Sequence, residues 1–305
     1  MSYPSGRALT YTFDSTAGRV QSVANYASGI GYWANGAVRQ MTLGNNLVEQ
    51  TCLNSRFQAT GIRLGGSGTY NCGNSGSDAL NLGYTYAASS NNGNPSNQTI
   101  QRPGGSWTQS YYYDGVNRLQ SAYESGTGGW ALSFGYDALG NRWLASGSGL
   151  PGLTAETPTG PSWYSSNNRI VNWGYDGAGN VTQVASMNRS FTYDGENRQI
   201  TAVVNSQSQT YVYDGDGRRV RKVTPVGATT FIYDASGQLA AEYSTGAGTD
   251  SGVSYLTADH LGSTRLITDA GGGVKRSFDY TPFGEEVLAG YAGRTVGMVS
   301  TTAAR

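Results

Sequence analysis

"TYVYDGDGRRVRKV", residues 210–223, sets two tyrosines two positions apart, then Asp and Gly, then arginines. Aromatics at i and i+2 lie on one face of a strand, because strand side chains alternate with period two. The Asp carboxylate can accept main-chain N–H groups just beyond it, which opens a turn. Gly217 can take the positive φ such a turn needs. RRVRKV then resumes as a returning strand, so the stretch reads as a hairpin corner. It does not read as an EF-hand: Asp214 and Asp216 fill the first and third loop positions, but Arg218 stands at the fifth and the sixth-position glycine is missing. It is not a phosphate loop either, because no GK[ST] follows and no helix begins there.

The phrase recurs. Aligned on the aromatic before the turn, the copies are YYYDGVNRL (111–119), FGYDALGNRW (134–143), WGYDGAGNV (173–181), FTYDGENRQI (191–200), YVYDGDGRRV (211–220) and FIYDASGQL (231–239). A weaker copy, YTFDSTAGRV, opens the chain at 11–20, and two divergent ones follow at 31–40 and 84–94. Tyr175, Tyr193, Tyr213 and Tyr233 are 18, 20 and 20 residues apart. About twenty residues hold two short strands and two turns, the usual scale of a hairpin. The repeat positions are Tyr113 and Asp114; Tyr136, Asp137 and Gly140; Tyr175, Asp176 and Gly179; Tyr193 and Asp194; Tyr213, Asp214 and Gly217; and Tyr233, Asp234 and Gly237. The expected fold is all-β, with consecutive antiparallel hairpins forming one curved sheet. Its turns should lie in register along an edge and its six repeat tyrosines on one face. The recurring Arg118, Arg142, Arg198 and Arg218 are expected to meet a neighbouring turn Asp or a Tyr ring.

Composition agrees. The 305 residues carry 45 Gly and 22 Tyr against 7 Phe, a turn-rich chain whose aromatics also offer a hydroxyl. Of the 20 basic residues only Lys222 and Lys275 are lysines, and arginine can stack on rings and fork onto carboxylates as lysine cannot. The 20 basic and 20 acidic residues cancel, so no global field favours nucleic acid or an acidic membrane. No apolar run is long enough to span a membrane, and MSYPSGRALTYTF is not a signal peptide. Cys52 and Cys72 leave both a disulfide and two inert thiols open.

The YDxxGxx phrases resemble the YD repeats of Rhs proteins, bacterial toxin-complex shells and animal teneurins. YLTADHLGSTRLITDAGGGVKRSFDYTPFGEE (255–286) is similar to the distinctive C-terminal Rhs segment. On that likeness Asp259, Gly262, Arg265, Asp269, Tyr280, Pro282, Phe283 and Gly284 are its signature positions. The resemblance covers nearly all of 11–286. It implies a partial turn of a hollow β-shell, with repeats over 1–253, the signature segment over 254–286 and a short, disordered or truncated tail over 287–305. It also implies a shell that encloses or presents a toxin or mediates cell contact, secreted or at the surface in an intact parent protein. The partners implied are the remainder of a longer shell, a toxin cargo encoded elsewhere, or a cell-surface receptor, with self-association of an isolated piece. Bacterial members release their toxin by autoproteolysis beyond PFGE. Here only 21 residues follow Gly284, without a DPxG-type motif, so that activity transfers to no residue of this chain.

Catalytic chemistry has little to use. His260 is the only histidine, no serine sits in G-x-S-x-G, and most Asp residues occupy turns. His260 reads as part of a packed terminal segment. No catalytic residue, metal or cofactor is expected. The second reading is a glycan-binding adhesin that uses the Tyr/Arg-rich sheet face.

Overall fold

The computed structural model describes residues 6–66, 78–149, 156–233, 237, 239–246 and 252–294. The chain divides into two compact units: Met1–Phe134, Ser146–Pro151 and Gly252–Arg305 form one, and Gly135–Ala145 and Gly152–Ser251 form the other. The fold is all-β, built of consecutive antiparallel hairpins in open sheets. Among the described residues, twelve strands, Tyr11–Phe13 through Arg142–Ser148, follow one another in sequence order in the first sheet. Eight, from Gly174–Tyr175 through Leu239–Ser244, make the second, and Tyr255–Ala258, Thr264–Thr268 and Val274–Ser277 make a third. The expected single sheet is thus divided. Between the first and second sheets, residues 161–173 turn through a short 3-10 segment and an isolated Tyr164–Ile170 bridge instead of extending the ladder.

One corner is used throughout. At Asp194 the carbonyl accepts the Asn197 N–H (3.1 Å) and the amide donates to the Arg198 carbonyl (3.0 Å), with Asn197 at φ +61. This is a three-residue hairpin loop with a left-handed residue closing a bulge. Asp194 Oδ1 accepts the N–H groups of Glu196 and Arg198, both at 2.9 Å, and Oδ2 accepts Arg198 Nε at 2.7 Å. The Arg198 N–H, ahead of its side chain, holds the Asp194 carboxyl below the ordinary carboxylate range. Asp114, Asp137, Asp176 and Asp214 make the same corner, with Asn117, Gly140, Gly179 and Gly217 at positive φ. So do corners the sequence pattern does not flag, at Leu43–Leu47, Asn54–Gln58 and Ser165–Arg169. Gly237 also has a positive φ, whereas Asp234 lies outside the described residues.

The corners at Asp114, Asp176, Asp194, Asp214 and Asn54 each shift the register by one residue. In the Gln207–Tyr213/Arg219–Thr224 hairpin, Val212 pairs with Arg221 but Tyr213 with Arg219, leaving Val220 as the extra residue. The next repeat answers the interruption: Tyr233 donates its hydroxyl to the Arg219 carbonyl at 2.9 Å. The rule repeats as Tyr213 to Gln199 (2.8 Å), Tyr193 to Val181 (2.9 Å), Tyr113 to Pro95 (3.0 Å), Tyr86 to Ala59 (2.9 Å) and Tyr32 to Val20 (2.8 Å). In each pair the acceptor is the residue paired on the turn side of the preceding register shift, just before the extra residue. The turn arginine completes the link, with Arg198 over the Tyr213 ring and Arg218 over the Tyr233 ring, each 5.5 Å from the centroid. Neighbouring corners also touch, Asn180 Nδ2 donating to Asn197 Oδ1 at 2.8 Å. By register, Tyr175, Tyr193, Tyr213 and Tyr233 share a face of the second sheet, and Tyr113 and Tyr136 share one of the first.

The deepest core lies in the first unit. Cross-strand pairing aligns Leu64 with Leu80, Ile62 with Leu82, and Ile100 with both Leu82 and Trp107, so one face of the sheet is apolar. Leu266 of the third sheet packs on that face. Cys52, on the strand Val48–Leu53, is disulfide-bonded. Cys72, the only other cysteine, lies outside the described residues. In the second unit, Val184 and Ala202 are the only fully buried hydrophobic side chains among the described residues. Its order therefore leans on the inter-repeat hydroxyl and guanidinium contacts. Tyr213→Phe should accordingly lower stability by about 1–3 kcal/mol, because the Gln199 carbonyl loses its donor. Urea denaturation of the variant measures this, and an unchanged midpoint would show the contact to be incidental.

Candidate functional site

The segment 255–294 supplies the most chemically dense region. Its three corners are one device. Asp259–Ser263 and Asp269–Gly273 repeat the Asp corner, with Oδ1 of each Asp accepting two main-chain N–H groups. Thr281–Glu285 repeats it with Thr in the Asp position, Pro282 next, and Gly284 at φ +92. Pro suits the second position of such a turn because its fixed φ is already correct. Gly262, at φ +86, closes the first corner. Tyr280 follows the general rule and donates to the Thr264 carbonyl at 2.9 Å.

The segment is fastened to the first sheet by buried polar contacts. Asp279, fully buried, accepts both terminal nitrogens of Arg102 (2.9 and 2.7 Å), Arg265 Nη2 (2.9 Å) and Arg294 Nε (2.6 Å). The other two nitrogens of Arg294 grip Glu124 at 2.6 and 2.7 Å, and Gln109 donates to the same carboxylate at 3.1 Å. The Trp107 ring lies against both Arg102 and Arg294, 4.8 and 4.5 Å from centroid to guanidinium, and its Nε1 donates to the Ala292 carbonyl. Burial alone would push the Asp279 carboxyl up. The charges of Arg265 and Arg102, with the Arg102 hydrogen bonds, outweigh that and hold it well below the usual range. Arg265 also reaches Asp259 at 3.5 Å, so three arginines face three carboxylates. Further out, Asn45 Nδ2 donates to Thr268 Oγ1 (3.0 Å) and the Asp269 carbonyl (2.9 Å), and Thr257 donates to Glu49 (2.8 Å).

Signature residues Asp259, Arg265, Tyr280, Pro282, Phe283 and Gly284 come together around a cavity of about 720 Å³, with Tyr84, Tyr111 and Tyr113 on its sheet side. Asp269 stands apart, at the Asn45 contact. His260 lines the cavity, with its ring edge-on to Tyr84 at 4.4 Å. It is exposed to solvent, not packed away. Partial burial, ahead of the opposing charge of Asp259, pushes its pKa below the ordinary histidine value. Sequence reasoning missed Arg102, Glu124 and Arg294, whose partners lie up to 177 residues away. Residues 287–294 also depart from the loose tail expected there, since Val287 and Arg294 are fully buried. Arg294 is drawn in because two carboxylates already await a fork of donors. Among the described residues, no group of three or more His, Cys, Asp or Glu could hold a metal ion.

Two outcomes follow from these contacts. Asp279→Ala strands three buried guanidinium groups and should cost about 3–5 kcal/mol by chemical denaturation. Glu49 gives the opposite sign: burial raises its pKa, so the folded state binds the proton more tightly and stability falls as pH rises through that pKa. Glu49→Gln should therefore stabilise the protein at neutral pH. The gain should vanish on acidification below the ordinary glutamate range, as denaturation midpoints across pH would record.

Comparison with known proteins places these features. The RHS Repeat family matches residues 213–250. Solved structures share the fold at 14% identity: a TcdB2-TccC3 crystal structure has TM-score 0.66 over 94% of this chain and 18% of that one. The Tc holotoxin pore of Photorhabdus luminescens has TM-score 0.58 over 96% of this chain and 17% of that one. TcdB2-TccC3 without its hypervariable C-terminal region has TM-score 0.62 over 94% and 17%. The chain thus spans under a fifth of those chains' length, and at this identity the likeness is one of fold. Among curated proteins, none matches. The RHS Repeat match at 213–250 thus falls on one copy of a corner, register shift and tyrosine contact that recur along both larger sheets.

Proposed function

We propose that this chain is a non-enzymatic wall segment of a YD-repeat shell that encloses or presents a toxin, or mediates contact at a cell surface. Its partners would be further repeats of a longer shell and a cargo encoded elsewhere. Residues 1–253 serve as the repeats, and 254–286 as the signature segment that fastens them. The observation that carries this reading is the directional link between repeats. Each tyrosine completes the corner before it, so each repeat leans on a neighbour and the array has no intrinsic end. The open sheets end in edge strands such as Leu239–Ser244, and a sheet edge invites pairing with another chain. The disulfide at Cys52 supports an oxidising, extracytoplasmic setting. Among the described residues no helix is long and apolar enough to cross a membrane.

The isolated chain should self-associate, and should become monodisperse when joined to upstream repeats. Light scattering at rising concentration measures both states. A dilution-insensitive monomer of the isolated chain would refute the wall-segment reading. So would spontaneous cleavage at one site, abolished by a single substitution and seen by intact mass on storage, because it would make the chain an enzyme.

A further inference from the structure

We propose that the cavity beneath the Asp259–Ser263 and Thr281–Glu285 corners binds a neutral oligosaccharide. This proposal stands apart from the wall-segment reading and needs neither cargo nor shell. At about 720 Å³ the space falls in the range that holds small ligands. Tyr111 and Tyr113 present rings whose hydroxyls are already committed, to Gln98 and Gln109 and to the Pro95 carbonyl, while Tyr280, bound to the Thr264 carbonyl, has Arg265 5.8 Å from its ring centroid. Those ring faces are fixed before any ligand arrives, which spares the ordering cost of binding. A pyranose offers the matching shape: an apolar C–H face to lie on a ring, with hydroxyls at its rim.

The charges narrow the ligand class. Among the described residues, the only charged groups in the lining are Asp259 and Arg265, and both are spoken for: Arg265 holds Asp259 and Asp279, and Asp259 caps its own corner. An anionic or cationic ligand would leave water without gaining a free countercharge. A purely hydrocarbon ligand would cover the solvent-exposed His260 imidazole and strip its polar nitrogens of water. An extended peptide would need main-chain partners. The strands behind the cavity, Leu80–Tyr86, Pro95–Arg102 and Gly105–Tyr113, are each paired on both sides and offer none. Sugar hydroxyls can both donate to and accept from an imidazole, so a neutral saccharide satisfies ring and rim together.

Saturation-transfer NMR on the full chain with lactose, maltotriose, cellotriose and triacetylchitotriose, and with sialyllactose as the charged counterpart, tests the assignment. This readout works whether or not the protein self-associates. At least one neutral sugar should bind at millimolar or lower concentration, and sialyllactose should bind more weakly than lactose. His260→Ala and Leu261→Glu both change solvent-exposed side chains of the lining. Each should weaken binding about tenfold or more while leaving the thermal midpoint in place. Absence of binding by all four neutral sugars, tighter binding of sialyllactose, or wild-type affinity in both variants would each overturn the proposal.

Discussion

The register shift at the corner is the constraint on which the other features rest. A three-residue loop with a left-handed closing residue interrupts the ladder by one position. A sheet of such hairpins would leave an uncompensated carbonyl beside every turn. The tyrosine of the following repeat ends at that carbonyl, which explains why the aromatic before the Asp is tyrosine in the regular repeats and not phenylalanine. The Asp carboxylate fixes the loop, the loop fixes the break, and the hydroxyl mends it from the neighbouring hairpin. The arginine that closes the loop then covers the ring that supplied the hydroxyl. One short phrase therefore encodes both a turn and the joint between turns.

The two units are stabilised by different physics. The first buries a continuous apolar face and seals it with an ionic lock of arginines and carboxylates. Such a lock adds little net stability over a hydrophobic replacement but penalises every wrong arrangement, because any stranded charge is costly. It specifies position more than it strengthens. The second unit has almost no fully buried side chains among its described residues and is held by many modest, evenly spaced contacts.

The hairpins were legible because their determinants are local. Tyr, Asp and the left-handed Gly or Asn sit within five residues of one another, and the period of about twenty repeats visibly. The corners at Leu43, Asn54 and Ser165 were not, since main-chain hydrogen bonds form the loop and Asp is only its best cap. The lock was invisible for another reason. Nothing near Arg102 or Glu124 distinguishes them from surface charges until Arg294 and Asp279 arrive from the far end of the chain. The division into three sheets was equally unreadable, because the segment before Trp173 differs from its neighbours only by looser spacing.

Glu124 and Arg294 are separated by 170 residues, and this has a consequence during synthesis. The sheet face bearing Leu64, Leu80, Leu82 and Ile100 is complete long before the segment that covers it leaves the ribosome. At ordinary elongation rates the delay is roughly 10–30 s. Over that interval a nascent chain carries an apolar face beside an unmatched glutamate and arginine, a surface suited to chaperones and to premature pairing with sister chains. The strands between, each able to fold on the hairpin before it, occupy the wait with productive growth and leave the lock to close as the last tertiary event.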